Sequence, residues 1–233
     1  MRQAAESPAR VWARGAAIRP VPGYAVVGEK ALRSIEAELA DDGEDGAEAA
    51  SLTAMDRAFA RFEESQPEVS ARVQEILDRP LDEVALALGY FLSIAVWLAF
   101  DASFGARVQA VTRDAWGATV DALALEEDLR RENAAEPLDL DDLLALEQPE
   151  LLAFVHDHID AALETGGLSS DDATSPAGAP DLGDAAEGGD GPRVREVDVD
   201  DVHLVYRTIL LETLALSHAV VPGPDEASPE LLA

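Results

Sequence analysis

His156 and His158 flank Asp157 in the stretch VHDHID, and imidazoles beside carboxylates are the side chains that make divalent-metal sites and acid-base pairs. Spacing decides whether they can cooperate. On a straight helix, side chains two apart point to different sides, so the two rings cannot grip one ion, whereas His156 and Asp160 share a face. His203 and Tyr206, in VHLVYRT, are also placed to face a common neighbour, while Glu212 and His218 diverge. Two-metal bundle enzymes draw a Glu and a His three positions on from each of two paired helices. No such Glu-x-x-His occurs here, and Asp200 before His203 is the nearest imitation. His156, Asp160 and His203 are thus the metal-ligand candidates. They are expected to be boundary residues of amphipathic helices, with no cofactor.

Other chemistries lack their residues. The chain has no cysteine, which removes thiolate nucleophiles, disulfides and Cys-ligated metals. Asp41, Asp45 and Gly46 match part of a calcium loop, but Gly43 and Leu52 stand where further ligands belong, so the set is incomplete. There is no Gly-rich phosphate loop, no HExxH and no GxSxG elbow.

The elements that must position any site read as helices. In a chain of 233 residues, 48% are hydrophobic and only 5% aromatic, so the apolar content is mostly Ala, Leu and Val. Spacings of three and four align Met55, Phe59 and Phe62, then Val69, Val73 and Ile76 after Pro67. A further stripe runs through Leu151 or Leu152, Val155, Ile159 and Ala162 after Pro149. From 106 to 133, Val108, Val111, Ala115, Ala122, Leu125 and Leu129 form one stripe, with Glu126 and Glu127 on the wet side. Residues 198 to 221 make a last helix held by Val202, Val205, Tyr206, Ile209 and Leu216. No period-two alternation and no internal repeat are evident. The fold expected is all-α, an irregular bundle of about five to seven helices around a central apolar helix at 84–100.

That central segment, VALALGYFLSIAVWLAF, carries no charge. At about 1.5 Å per residue it falls short of a bilayer's hydrocarbon core. It also lacks a cationic collar, and Tyr90 and Trp97 lie inside it and not at its ends. A helix apolar on every side suits the middle of a bundle, so membrane insertion is the poorer reading. Asp82 is placed to cap it and Gly105 to close it, while Gly89 and Ser93 would let a neighbour approach closely.

Net charge is −30, from 47 acids and 17 bases. Such a chain repels phosphate backbones, so nucleic acid is excluded as a partner and a basic protein is favoured. The N-terminal stretch is of opposite sign, with Arg2, Arg10, Arg14, Arg19, Lys30 and Arg33 against Glu6 and Glu29; it could dock on the body or on a second copy. It has no apolar core of a secretory signal. Residues 1–51 are expected to be a largely disordered basic arm and acidic linker, 52–165 the bundle, 166–197 a disordered Gly-rich acidic linker, 198–221 a returning helix and 222–233 a tail. Arg193 and Arg195 are the expected protease-labile points.

These features favour a non-catalytic, cytoplasmic, acidic interaction or regulatory protein of the inhibitor, immunity or sequestering type, binding a basic partner and released by cleavage of the linker. The alternatives are a metal- or small-ligand-binding enzyme or sensor near His156, His203 and Tyr206, and a membrane-associated protein acting through 84–100.

Overall fold

A computed structural model describes residues 19–39, 47–132, 140–168 and 197–224. Among them are eight α-helices: α1 (Glu29–Leu39), α2 (Ala47–Ser65), α3 (Pro67–Leu77), α4 (Glu83–Phe104), α5 (Arg113–Glu132), α6 (Leu140–Glu147), α7 (Pro149–Leu168) and α8 (Val199–Ala219). The all-α bundle around a central apolar helix is therefore present. Arg193, Arg195 and residues 41–46 of the incomplete calcium loop lie outside the described residues, and Leu52 at its end lies in α2.

α4 forms where the sequence places it. The Asp82 carboxylate accepts from the amides of Val84 and Ala85, satisfying orphan donors of the first turn. Gly105 closes the helix with φ 53°, a left-handed value that glycine adopts without the Cβ clash. Glu83–Arg107 is long and apolar enough to cross a membrane, yet 67% of its most apolar window is buried inside the protein. Every side chain from Leu92 to Phe100 is covered by its neighbours.

The principal neighbour is α8, which runs in the same direction. At their N-terminal ends, the Asp82 amide donates to Asp201 Oδ2 at 2.8 Å and the Asp198 amide to Asp82 Oδ2 at 3.2 Å. Beyond their C-terminal ends, Gln109 N donates to the Ala219 carbonyl at 3.0 Å and Val221 N to the Arg107 carbonyl at 2.9 Å. Of the packing residues named above for α8, Val202, Val205, Ile209 and Leu216 are buried and Tyr206 is partly buried. Gly89 lets α3 and α8 approach closely: a Cβ there would stand 2.7 Å from Leu77 Cδ2 and 3.2 Å from Val205 Cγ2.

Around this pair the architecture is built twice. The tripeptide Gln-Pro-Glu occurs at 66–68 and at 148–150, each time as the elbow between two helices, with the proline opening the second helix. Both glutamines are buried, and each grips an extended segment that leads into another helix. Gln66 Oε1 accepts from Val111 N at 2.9 Å and its Nε2 donates to Gln109 O at 3.1 Å; α5 follows. Gln148 Oε1 accepts from Val27 N at 2.9 Å and its Nε2 donates to Ala25 O at 2.8 Å; α1 follows. The first unit is thus α1 to α4, the second α5 to α8, and each elbow holds the lead-in segment of one of them. An aspartate, Asp82 or Asp198, caps the central helix of each unit.

Three details depart from the sequence reading. Residues 21–39, assigned above to the arm, put Val21, Ala25, Val27, Leu32 and Ile35 into the core; these short apolar side chains outweigh the cationic ones interleaved with them. The run from 36 to 50, read as a linker, includes the end of α1 and the start of α2. The α5 stripe is also rotated: Trp116 and Leu123 are buried, Glu126 is buried with them, and Leu125 is 52% exposed. The bulk of Trp116 sets which face turns inward, and α5 begins only at Arg113 because 105–111 forms a short turn and the segment held by Gln66.

Candidate functional site

The seam between α7 and α8 brings two of the sequence candidates together. α7 runs antiparallel to α8, since Gln148 at its start bonds Ser217 Oγ at 2.9 Å near the end of α8. A little over two turns on, His156 Nε2 stands 2.8 Å from the Tyr206 hydroxyl. His158 turns to another side, as the helical geometry requires. Its Nδ1 donates to the Phe154 carbonyl at 2.9 Å, and its ring packs 4.9 Å from Phe91 and 4.3 Å from Phe154. Asp160 and His203 are exposed. Among the described residues no three His, Asp or Glu side chains converge into a metal-holding group.

Outward from this seam, α7 presents a stripe of carboxylates. Glu150, Asp157, Asp160 and Glu164 recur at helical spacing, all exposed, so they lie on one face. No Lys or Arg occurs from 140 to 168. Several acids elsewhere have arginine partners. Arg72 bonds Glu68 and Glu75, each at 2.8 Å, Arg61 bonds Asp101 at 2.7 Å, and Arg33 pairs with Glu29. The Arg72 guanidinium holds the Glu68 carboxyl below its ordinary range. None of the four α7 carboxylates makes an ion pair among the described residues.

One group that the sequence reading set aside, Glu212, lies at the centre of the molecule. Glu212, on the α4-facing side of α8, is fully buried, and neither of its carboxyl oxygens has a hydrogen-bond partner. The Ser93 hydroxyl of α4 faces it without completing a hydrogen bond. Burial pushes the Glu212 carboxyl well above its ordinary range, and the nearby Ser93 hydroxyl offsets that only in part. The carboxyl is therefore held in its neutral, protonated form, because an ion there would be desolvated with no counter-charge. The sequence signal was visible in hindsight: Glu212 falls in the middle of ILLETLALS, on the same face as Val205, Ile209 and Leu216.

In comparisons with known proteins, no family model, no curated protein and no solved structure matches this chain.

Proposed function

We propose that the chain is a non-catalytic acidic interaction or regulatory protein of the cytoplasm, of the inhibitor, immunity or sequestering kind, whose outer α7 face binds a basic protein partner. What supports the reading is a contrast between faces: Glu29, Glu68, Glu75 and Asp101 each have an arginine beside them, while Glu150, Asp157, Asp160 and Glu164 form a continuous stripe with none. Four like charges along one helical face raise the local potential at a cost to the free protein. A cationic partner removes that cost, and its association is steered and fast.

The test uses the intact protein as bait in an extract of its source cells, beside a variant carrying Glu150→Gln, Asp157→Asn, Asp160→Asn and Glu164→Gln. All four positions are exposed, so the bundle keeps its core. Wild type should retain one stoichiometric protein of high isoelectric point, and the variant should lose it. Raising ionic strength from about 0.05 to about 0.5 M shortens the screening length roughly threefold and should release it. Equal retention by bait and variant, or retention that ignores salt, rejects the proposal.

A further inference from the structure

Between α3, α5 and α8 a cleft of about 490 Å³ opens to the surface. Its apolar lining comes from Ile76, Trp116, Val120, Leu204 and Leu211, and Arg72, Arg79 and Arg207 stand around it. Glu75 and Asp121 share the lining, which leaves it with a single net positive charge in a chain of net charge −30. Glu75 is already engaged, with both carboxyl oxygens 2.8 Å from Arg72 Nη1. Arg79 makes no ion pair among the described residues.

The doubled architecture shows that this opening is not a general consequence of the fold. As far past Gln148 as Arg72 and Ile76 are past Gln66 stand Phe154 and His158. As far past the Asp82 cap as Arg207 is past Asp198 stands Phe91. Those three rings pack on one another, with Phe91 6.4 Å from Phe154 and 4.9 Å from His158, and occupy the corresponding groove between α7, α1 and α4. In the second groove two arginines and an isoleucine replace the ring cluster, and the space is open. The side chains that would have filled it are exchanged for cations at its edge.

We infer that this cleft is a binding site for a small amphipathic monoanion, a free molecule whose acyl or aryl body lies on Trp116, Ile76 and Leu211 and whose carboxylate, sulfonate or phosphate-ester head meets Arg79 and Arg207. The volume is that of a small-molecule pocket, apolar with a few polar groups that fix orientation. Guanidinium is the side chain that matches such a head group in geometry as well as charge. The site is separate from the α7 face, so either proposal can fail without the other.

Gly117 provides the decisive variant. It lines the cleft, and a Cβ built on it meets nothing within 4 Å. Gly117→Leu therefore starts from open space at its Cβ and adds bulk at the cleft lining, and leucine is the better helix former, so the fold is retained. The probe is anilinonaphthalene sulfonate, titrated into the full chain by fluorescence, with neutral N-phenylnaphthylamine as the charge control and dodecanoate as competitor. Saturable binding near one equivalent is expected, displaced by dodecanoate and abolished by Gly117→Leu. Arg79→Gln together with Arg207→Gln should weaken the sulfonate at least tenfold and leave the neutral dye unchanged, and Arg79→Gln alone should weaken it by less. If Gly117→Leu binds the sulfonate as wild type does, or if the arginine variants weaken both dyes equally, the inference is wrong. Sedimentation with phosphatidylglycerol vesicles that Gly117→Leu abolishes would likewise overturn it, placing the head group on a membrane lipid and not on a free ligand.

Discussion

Replacing Glu212 with Gln should make the protein more resistant to unfolding at neutral pH and leave it unchanged near pH 4. The folded state keeps Glu212 protonated, well above its ordinary value of 4.5, whereas the unfolded chain loses that proton near 4.5. Between those two values the native state binds more protons than the unfolded state, so stability falls as pH rises, by about 1.4 kcal/mol per pH unit for one group. Below pH 4.5 both states are protonated and the penalty vanishes. Gln, isosteric with the neutral acid, carries no such dependence. The melting temperatures of the two proteins should therefore coincide near pH 4 and separate upward from it. The expected gap is about 3–6 °C per pH unit for a chain of this size, until the folded state itself ionises. Taking the difference between the two proteins cancels the mutual repulsion of the other carboxylates, which also changes with pH. A gap that stays constant from pH 4 to pH 8 would show that Glu212 is charged in the fold, or lies elsewhere.

Glu212 also marks where reading the sequence succeeds and where it stops. Helix positions, caps and the packing faces of α3, α7 and α8 were legible because each is written locally: Pro67, Pro149, Asp82, Gly105 and apolar residues at spacings of three and four. The register of α5 was not, since a stripe of small residues through Ala115 and Ala122 competes with one through Trp116 and Leu123, and only packing against α8 decides between them. The duplicated plan was hidden for a related reason. It survives in the Gln-Pro-Glu elbows, the aspartate caps and the backbone hydrogen bonds of two buried glutamines, while the side chains between them have diverged. The arginine-lined cleft follows from that divergence. Arg72, Arg79 and Arg207 are scattered along the chain, and nothing in their spacing announces that α3 and α8 place them around one opening. The pairing of His156 with Tyr206 was not legible: spacing along one helix paired His156 with Asp160 and Tyr206 with His203, and only the packing of α7 on α8 brings the two residues together.

Both glutamine elbows should matter for stability, Gln148 the more, and only one of them for the cleft. Gln148→Leu keeps the volume but leaves the Val27 amide and the Ala25 carbonyl unpaired in the interior and takes from Ser217 its donor. Each such loss costs on the order of 1–3 kcal/mol, so even the lower bound of about 3 kcal/mol for the three is a large fraction of the stability of a single domain. Melting should fall by at least about 6–12 °C. Gln66→Leu strands Val111 N in the interior, while Gln109, an exposed residue, can turn its carbonyl to water, so a smaller drop is expected. The consequences then diverge with topology. Gln66 holds the segment that leads into α5, which supplies Trp116 and Gly117 to the cleft, so its loss should weaken binding of the sulfonate probe. Gln148 holds the segment that leads into α1, on the ring-filled side, and its loss should leave that binding intact below the melting point. Amide exchange reports the local step directly: Val111 should lose protection first in one variant and Val27 first in the other. If both variants lose the probe equally, or if neither amide is protected in wild type, the elbows do not anchor separate halves and the two-unit description fails with them.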